Sequence, residues 1–279
     1  MTSDAAAPGG GVPAAKPGKP PFDTSVAHQA RIYDYLLGGK DNYAADRAAG
    51  DKMLEVYPDT AYTARANRAF LGRAVRFLAG EAGIRQFLDI GTGIPTAGNT
   101  HEIAQAVAPE SRVVYADHDP VVLAHARALL TSNETGTTDY IDADLRDTGT
   151  MLTQAAELLD FSRPVAVTLL SVLHAVPDAD DPYAITAALL DADPPGSYLA
   201  ISHAASDLID PAELQGLYDS WKGNVQQHFQ WRNRDEVARF FTGLDLAEPG
   251  IVPVDQWRTE PRTGQAPRPA MWAAAGRKN

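Results

Sequence analysis

The chain of 279 residues contains no cysteine, which excludes disulfides, a thiol nucleophile and cysteine-ligated zinc. It lacks any apolar run of about 18 residues, so no membrane-spanning helix is expected. Its first residues also lack the apolar stretch of a signal peptide, and a cytoplasmic protein without a membrane partner is the expectation. Positive charge is the scarcer sign, with 24 Lys and Arg against 36 Asp and Glu and a formal net charge of −12. The basic residues are spread along the chain, so nucleic acid is not an expected partner. No compact His/Asp/Glu ligand set stands out, and no metal is expected. What is present suits a globular protein: a hydrophobic fraction of 44% supports a sizeable core. The length allows one large α/β domain with an appendage, or two small domains.

Residues 1–21 are rich in Pro, Gly and Ala and have almost no large apolar side chain. Such a segment cannot bury enough surface to offset its ordering entropy and reads as a disordered tail. Helical periodicity follows over 25–37, 43–56 and 60–79, with Gly38-Gly39 ending the first helix and Pro58 stopping the second. The third carries Phe70, Leu71, Ala74, Phe77 and Leu78 on one stripe. This helical lead-in, residues 22–80, precedes a region of different texture, residues 81–279. Short apolar runs at 86–90, 112–116, 165–170 and 198–202, with a weaker one at 140–141, alternate with helical patterns such as 99–107 and 121–130. That alternation implies a parallel sheet with helices on both faces. Toward the end, 234–241 reads as a helix, 244–254 as a strand with a proline-bearing bend, and 270–275 as a last strand. Two late strands without a full helix between them suggest an antiparallel sheet edge.

The strongest chemical signal is Phe87-Leu88-Asp89-Ile90-Gly91-Thr92-Gly93-Ile94-Pro95-Thr96. A buried strand runs into a glycine turn and then a helix, the place where an open α/β sheet binds ligands. Glycine lets backbone N–H groups approach a ligand closely, and a helix N-terminus favours an anionic group. A dinucleotide fingerprint wants Gly or Ala where Thr96 stands, and no Gly-Lys-Ser/Thr phosphate loop follows. Asp117 ends the next strand in Val113-Val114-Tyr115-Ala116-Asp117-His118-Asp119-Pro120. A carboxylate there is suited to accept ribose hydroxyls. Asp119 is available to cap the following helix, which frees Asp117 for a ligand. A third acidic segment, Asp142-Ala143-Asp144-Leu145, offers an acceptor for an adenine amino group and an apolar face for its ring; a solvated loop acid is an equal alternative for Asp144.

These segments, with Ser171-Val172-Leu173-His174-Ala175-Val176-Pro177-Asp178, resemble the motifs of class I S-adenosylmethionine-dependent methyltransferases over residues 86–205. The lead-in from Ala30-Arg31-Ile32-Tyr33-Asp34-Tyr35-Leu36-Leu37 through Gly38-Gly39-Lys40-Asp41-Asn42-Tyr43 is more specific. It looks like the actinobacterial S-adenosyl methyltransferase family once labelled a domain of unknown function, and extends the resemblance over residues 22–278. The resemblance implies a Rossmann-like, seven-stranded, mostly parallel sheet with the last strand antiparallel, plus an N-terminal helical lid. It implies S-adenosylmethionine as cofactor, with Asp89, Gly91 and Gly93 at the methionine end, Asp117 on the ribose, and Asp144 and Leu145 at the adenine. Thr92, His118 and Ser171 complete the expected cofactor set. The chain departs from many relatives in two places: Ile94-Pro95 stand where a third glycine often follows, and Ser171 stands where an acidic or amide residue is common.

His174 and His203 follow the fourth and fifth strands and are the candidate bases for an acceptor that must lose a proton; the alternative for each is a structural histidine beneath the pocket. His101 and Glu102 read as helix-start residues rather than catalytic ones, and Arg65, Asn67 and Arg68 as solvent-facing side chains, the alternative being that they bind an acidic substrate group. Tyr33, Tyr35, Asn42 and Tyr43 are expected in a lid whose aromatic faces surround the sulfonium; the alternative is a packed helix hairpin. The expected chemistry is direct methyl displacement onto a small-molecule acceptor. Whether O, N or C is methylated, the acceptor's identity and the oligomeric state stay open. The rival readings are a non-catalytic cofactor-binding or regulatory protein and an NAD-dependent oxidoreductase.

Overall fold

The computed structural model describes residues 23–95, 98–123, 135–222, 225, 228–260 and 267–279. The expected tail, Thr96 and most of the helix read at 121–130 lie outside them. The chain opens with α1 (Gln29–Leu36), α2 (Ala44–Val56) and α3 (Thr60–Arg76), the last running into a π-helical turn at Phe77–Glu81. Gly38, at φ +81°, lets the backbone turn immediately after α1. Asp46 starts α2 by accepting from the Tyr43 N–H at 2.8 Å, and its carboxylate also holds Arg31 of α1 at 2.9 Å. Tyr43 is thus the N-cap residue of α2, and Tyr35 donates to Asp51 on the same helix.

The sheet is then laid down as β1 (Gln86–Ile90), β2 (Arg112–Asp117), β3 (Thr137–Asp142), β4 (Ala166–Leu170) and β5 (Tyr198–Ala204). Between or after these strands come α4 (Thr100–Val107), α5 (Thr148–Ala155), α6 (Pro182–Asp191), α7 (Pro211–Trp221) and α8 (Arg234–Ala238). The chain closes with β6 (Leu244–Leu246), β7 (Val252–Pro253) and β8 (Met271–Lys278). The order is β3-β2-β1-β4-β5-β8-β6, with β7 also paired to β8. β1 to β5 are parallel, while β8 runs antiparallel to β5, β6 and β7. The segment expected as one bent strand over 244–254 is therefore two short strands, both hydrogen-bonded to β8. The strand seen weakly at 140–141 extends over Thr137–Asp142.

Strand alternation divides the core between two faces. Phe87, Val113, Tyr115, Ala166 and Ala200 face α3, whose Phe70, Leu71, Ala74, Val75 and Leu78 form the matching stripe. Leu88, Val114, Val167, Leu169 and Ile201 face the opposite side, against Met151 of α5, Leu189 of α6 and Val237 of α8. Trp257, fully buried, meets Phe70 and Phe77 edge-on at 5.3 and 5.7 Å. The order reverses beside β1: β2 lies on one side and β4 on the other. A crevice opens at the carboxyl ends of the strands there, and α1 lies across it. No helix among the described residues is long and apolar enough to cross a membrane.

Candidate active site

The crevice is a cavity of about 370 Å³, within the usual range for small-molecule sites of about 300–1,000 Å³. β1 delivers Asp89 to its floor. The Asp89 carboxylate accepts from Thr168 Oγ1 of β4 at 2.9 Å and from Thr100 Oγ1 of α4 at 2.5 Å, joining two strands and a helix start. Burial raises its pKa, opposed by these two hydroxyls. The turn that follows requires glycine: Gly91 has φ +71°, and a Cβ there would lie 2.3 Å from Val172 Cγ2. Thr92 Oγ1 donates to the Asp89 carbonyl at 3.1 Å and pins the turn. At Gly93, φ +65°, no heavy atom lies within 4 Å of where a Cβ would be, so that surface of the turn is open.

The β2 tip faces this turn. Asp117 Oδ2 accepts from the Gly93 N–H at 3.0 Å, and Oδ1 accepts from the N–H groups of His118 and Asp119 at 2.8 and 3.0 Å. A carboxylate has about four lone-pair sites, so capacity remains for a further donor. Burial raises the Asp117 carboxyl pKa, and the Gly93 and Asp119 N–H groups pull it back. Asp119 does separate work. Its Oδ1 accepts from the Val121 N–H at 2.8 Å, and its Oδ2 lies 2.9 Å from His28 Nδ1, which ties α1 to the β2 tip. Beyond β3, Leu145 is buried and Asp144 lies beside it on the cavity wall. Asp144 is paired with Arg146 at 3.1 Å, and Arg146 reaches on to Asp180 at 2.8 Å. His118 and Ser171 also line the cavity, so every residue of the expected cofactor set borders one space. Ser171 stands at φ +59°, a conformation few non-glycine residues adopt.

The other predicted residues divide. Tyr33 reaches the cavity; its hydroxyl donates to the Ala64 carbonyl at 3.1 Å and accepts from Asn67 Nδ2 at 2.9 Å. Tyr35, Asn42 and Tyr43 do not line it. Asn42 donates to Asp34 Oδ2 at 2.8 Å and to the Gly39 carbonyl at 3.0 Å, so this trio shapes the α1–α2 junction, a packing role. His203 is fully buried and does not line the cavity either. Its Nδ1–H donates to the Ala204 carbonyl at 2.9 Å, and its Nε2 accepts from Arg232 Nη1 at 2.8 Å, so both ring nitrogens are engaged within the fold. Burial lowers its pKa to about 3, and Arg232 adds to the depression. His174 lies behind the β4 tip, buried, with Nε2 at 2.6 Å from Gln29 Nε2. Burial, then His203 and Arg232, hold it neutral well below the usual histidine range.

Asn67 is not a surface residue: it is buried and donates to Tyr33, while its Oδ1 accepts from Ser202 Oγ at 2.6 Å. Its place on the α3 stripe four residues before Leu71 was a usable signal. Arg68 also borders the cavity and donates to Asn99 Oδ1, the N-cap residue of α4, at 2.9 Å. His28 and Gln29 of the lead-in complete the wall, and no local pattern in the sequence marks them. Glu102 caps α4, accepting from the N–H groups of Gly98 and Asn99 at 2.6 and 3.1 Å. His101 is buried against the Tyr115 hydroxyl at 2.8 Å.

The profile of the S-adenosyl methyltransferase family matches residues 15–279. The chain belongs to that family. S-adenosylmethionine is the family's cofactor, and the residues present suit it: the cavity is large enough, the turn at Gly93 is open, and Asp117 keeps acceptor capacity. The solved structure of a protein from Streptomyces avermitilis, of a family once named only as a domain of unknown function, is 46% identical. It superposes with a TM-score of 0.88, over 92% of this chain and 99% of the other. A candidate methyltransferase from Thermobifida fusca is 42% identical, with a TM-score of 0.84 over 93% of this chain and 97% of the other. A more distant S-adenosylmethionine-dependent methyltransferase from Anabaena variabilis shares the fold at 13% identity and a TM-score of 0.50, over 76% of this chain and 84% of that one. No curated protein matches the chain. Family membership leaves the nicotinamide-dependent reading without support.

Proposed function

We propose that this S-adenosyl methyltransferase transfers a methyl group to a small-molecule acceptor, with the cofactor lying across the β1, β2 and β3 tips under the lid formed by α1 and the rest of the helical lead-in. The observation that carries the reading is the Asp117 carboxylate, which accepts from the Gly93 N–H, borders the same cavity as the Gly91–Gly93 turn and retains acceptor capacity. Asp117 accepts from the ribose, Leu145 packs on the adenine, and the open face of Gly93 admits the amino-acid portion. Arg68, beside the α4 N-terminus, meets the carboxylate of that portion. Asp89 keeps the turn in shape through Thr100 and Thr168.

Bound S-adenosylmethionine supplies a methyl carbon on a positively charged sulfur: an acceptor lone pair forms the new bond to carbon, the carbon–sulfur electron pair stays on a neutral thioether, and any acceptor proton passes to solvent. The protein contributes orientation and exclusion of water, and orientation alone is worth up to about 7–11 kcal/mol of a bimolecular barrier. His203 has no part in this, because neither ring nitrogen is available.

The test is a melting-temperature comparison. S-adenosylhomocysteine is expected to raise the wild-type melting temperature, as a ligand specific to the folded state must; NAD is expected to leave it unchanged. Asp117→Ala is expected to lose most of the shift. A wild-type protein indifferent to S-adenosylhomocysteine, or a variant with an undiminished shift, sinks the assignment. With methyl-labelled cofactor, label should collect in the small-molecule fraction of an extract; label in nucleic acid or protein would overturn that part.

A further inference from the structure

A second cavity, of about 90 Å³, adjoins the first behind the β4 and β5 tips. Gln29, Tyr33 and Ser171 line both, so they form the neck between them. The chemistry changes abruptly at that neck. Among the described residues no Asp, Glu, Lys or Arg lines the second cavity; Trp221, Phe229, Trp231, Tyr57, Met53 and Met271 do. The rings are ordered against one another: His174 stacks on Phe229 at 4.1 Å, and Phe229 meets Trp231 at 4.2 Å and Trp221 at 4.6 Å. Aromatic walls of this kind favour a flat ring, whose face and edge match their quadrupoles. An uncharged lining rejects an ionised group, which would lose its hydration without a partner. Size sets a further limit: a dry apolar cavity of about 150 Å³ takes one benzene, so the smaller chamber admits no more than a single ring, part of which extends through the neck into the first cavity.

His174 adds a polar requirement. Gln29 Nε2 donates to the Ser171 carbonyl at 3.4 Å, so the Gln29 atom facing His174 Nε2 is the amide nitrogen, a donor. His174 Nε2 therefore accepts, and the neutral ring carries its proton on Nδ1. That buried Nδ1–H has no hydrogen-bond partner among the described residues, so a ligand acceptor that reached it would pair an otherwise unsatisfied buried donor.

Resting on the cofactor assignment above, we propose that this chamber is the acceptor subsite: it takes a neutral, single-ring aromatic molecule bearing an oxygen, presents the methylated atom at the Gln29–Tyr33–Ser171 neck, and orients the ring through Phe229 and His174. His174 is here a positioning residue.

Trp221 and Trp231 provide a readout independent of turnover. Phenol, toluene and 4-hydroxybenzoate are titrated against the wild-type protein, with tryptophan emission excited at the red edge of its absorption. Phenol should change the emission saturably and bind at least about tenfold more tightly than 4-hydroxybenzoate, a difference of about 1.4 kcal/mol. It should also bind more tightly than toluene. No saturable phenol response, or equal binding of the charged analogue, overturns the proposal. Ala64→Leu, which fills the chamber, should abolish the phenol response, and Met53→Phe does the same from another wall; an unchanged response in either overturns the location. His174→Phe keeps the stacked ring and should erase the preference for phenol over toluene; a retained preference overturns its role. A cooperative melting transition, measured on each protein without ligand, reports that it folds. The S-adenosylhomocysteine shift then separates the two claims: in a folded protein, loss of that shift alone counts against the cofactor assignment, and loss of the phenol response alone against the chamber.

Discussion

On one side of the neck formed by Gln29, Tyr33 and Ser171, the cavity brings carboxylates, among them Asp89, Asp117, Asp119 and Asp144, and the cations Arg68 and Arg146 together around a glycine turn, with aliphatic side chains such as Leu71 and Leu145 between them. On the other side stand indole, phenyl and thioether groups with no charge among them. The two regions also differ in how the chain builds them. The charged cavity takes its key groups from strand tips and the few residues after each tip. The aromatic chamber takes its walls from the lead-in helices, from α7 and the segment after it, and from the start of β8. A site made of backbone turns tolerates few substitutions but is local, whereas a site made of packed side chains is assembled from distant parts of the chain and depends on their docking.

Predictions that probe this contrast run from the largest effect downward. Gly91→Ala should be the most damaging, because it combines a positive φ with a Cβ placed 2.3 Å from Val172 Cγ2. A loss of about 3 kcal/mol in unfolding free energy is expected from strain and overpacking together. Chemical denaturation measures it, and a loss under about 0.5 kcal/mol, the scale of an ordinary surface substitution, would show that the turn is not rigid. Asp117→Ala should weaken S-adenosylhomocysteine by about 10–100-fold, the scale of a hydrogen bond to a charged group, as read by calorimetry. The same titration in wild-type protein should weaken as pH falls, because burial raises the Asp117 pKa and protonation removes an acceptor. The phenol response should stay flat above about pH 6.5, the ordinary histidine value, because His174 is already neutral there. A phenol response that titrates with the cofactor response would erase the distinction between the cavities.

The same contrast explains what was legible in the sequence. β1 matches its apolar run residue for residue, since Gln86–Ile90 is buried on both faces and ends in Asp89-Ile90-Gly91. β3 was seen only in its second half because Thr137, Thr138 and Asp139, on the edge strand of the sheet, are polar, exposed or half-buried, and carry little apolar signal. The Asp117–Gly93 relation was readable because both residues sit at fixed offsets from strand ends. His203 was readable as a tip residue but not in its direction. Neighbouring strand residues point to opposite faces: Ser202 turns toward Asn67, and His203 turns away to Arg232. The chamber was invisible because Met53, Trp221 and Met271 share no motif and meet only through tertiary packing.

A further prediction asks whether donors, rather than burial itself, make the carboxylates of the charged cavity tolerable. Asp89 and Asp117 are surrounded by hydroxyl and N–H donors, whereas buried Asp193 has neither carboxylate oxygen hydrogen-bonded among the described residues. Burial raises its pKa to about 7, with Lys278 opposing. A carboxyl whose folded pKa exceeds its unfolded value favours the fold at low pH, and that advantage disappears as pH rises through the folded value. Asp193→Asn should therefore match wild type near pH 4 and be more stable at pH 8, by about 2 kcal/mol against an upper bound of about 4 kcal/mol for a shift of this size. Equal stability at both pH values would mean that Asp193 has donors in solution and that the contrast with Asp89 is void.

The smallest effects test the neck and the turn together, because Gly93 and Ser171 present mirrored cases. Gly93 occupies a positive φ with open space around it, so Gly93→Ala meets no steric neighbour and incurs only the backbone cost, about 1 kcal/mol. Ser171 already bears that strain at φ +59°. Ser171→Gly relieves it but also loosens the unfolded chain, two terms of about 1 kcal/mol that oppose each other. The expected result is a measurable drop in stability for Gly93→Ala and a change near zero for Ser171→Gly, compared by denaturation under one condition. A large loss on Ser171→Gly would mean that the serine side chain, and not the backbone conformation, holds the neck between the two cavities.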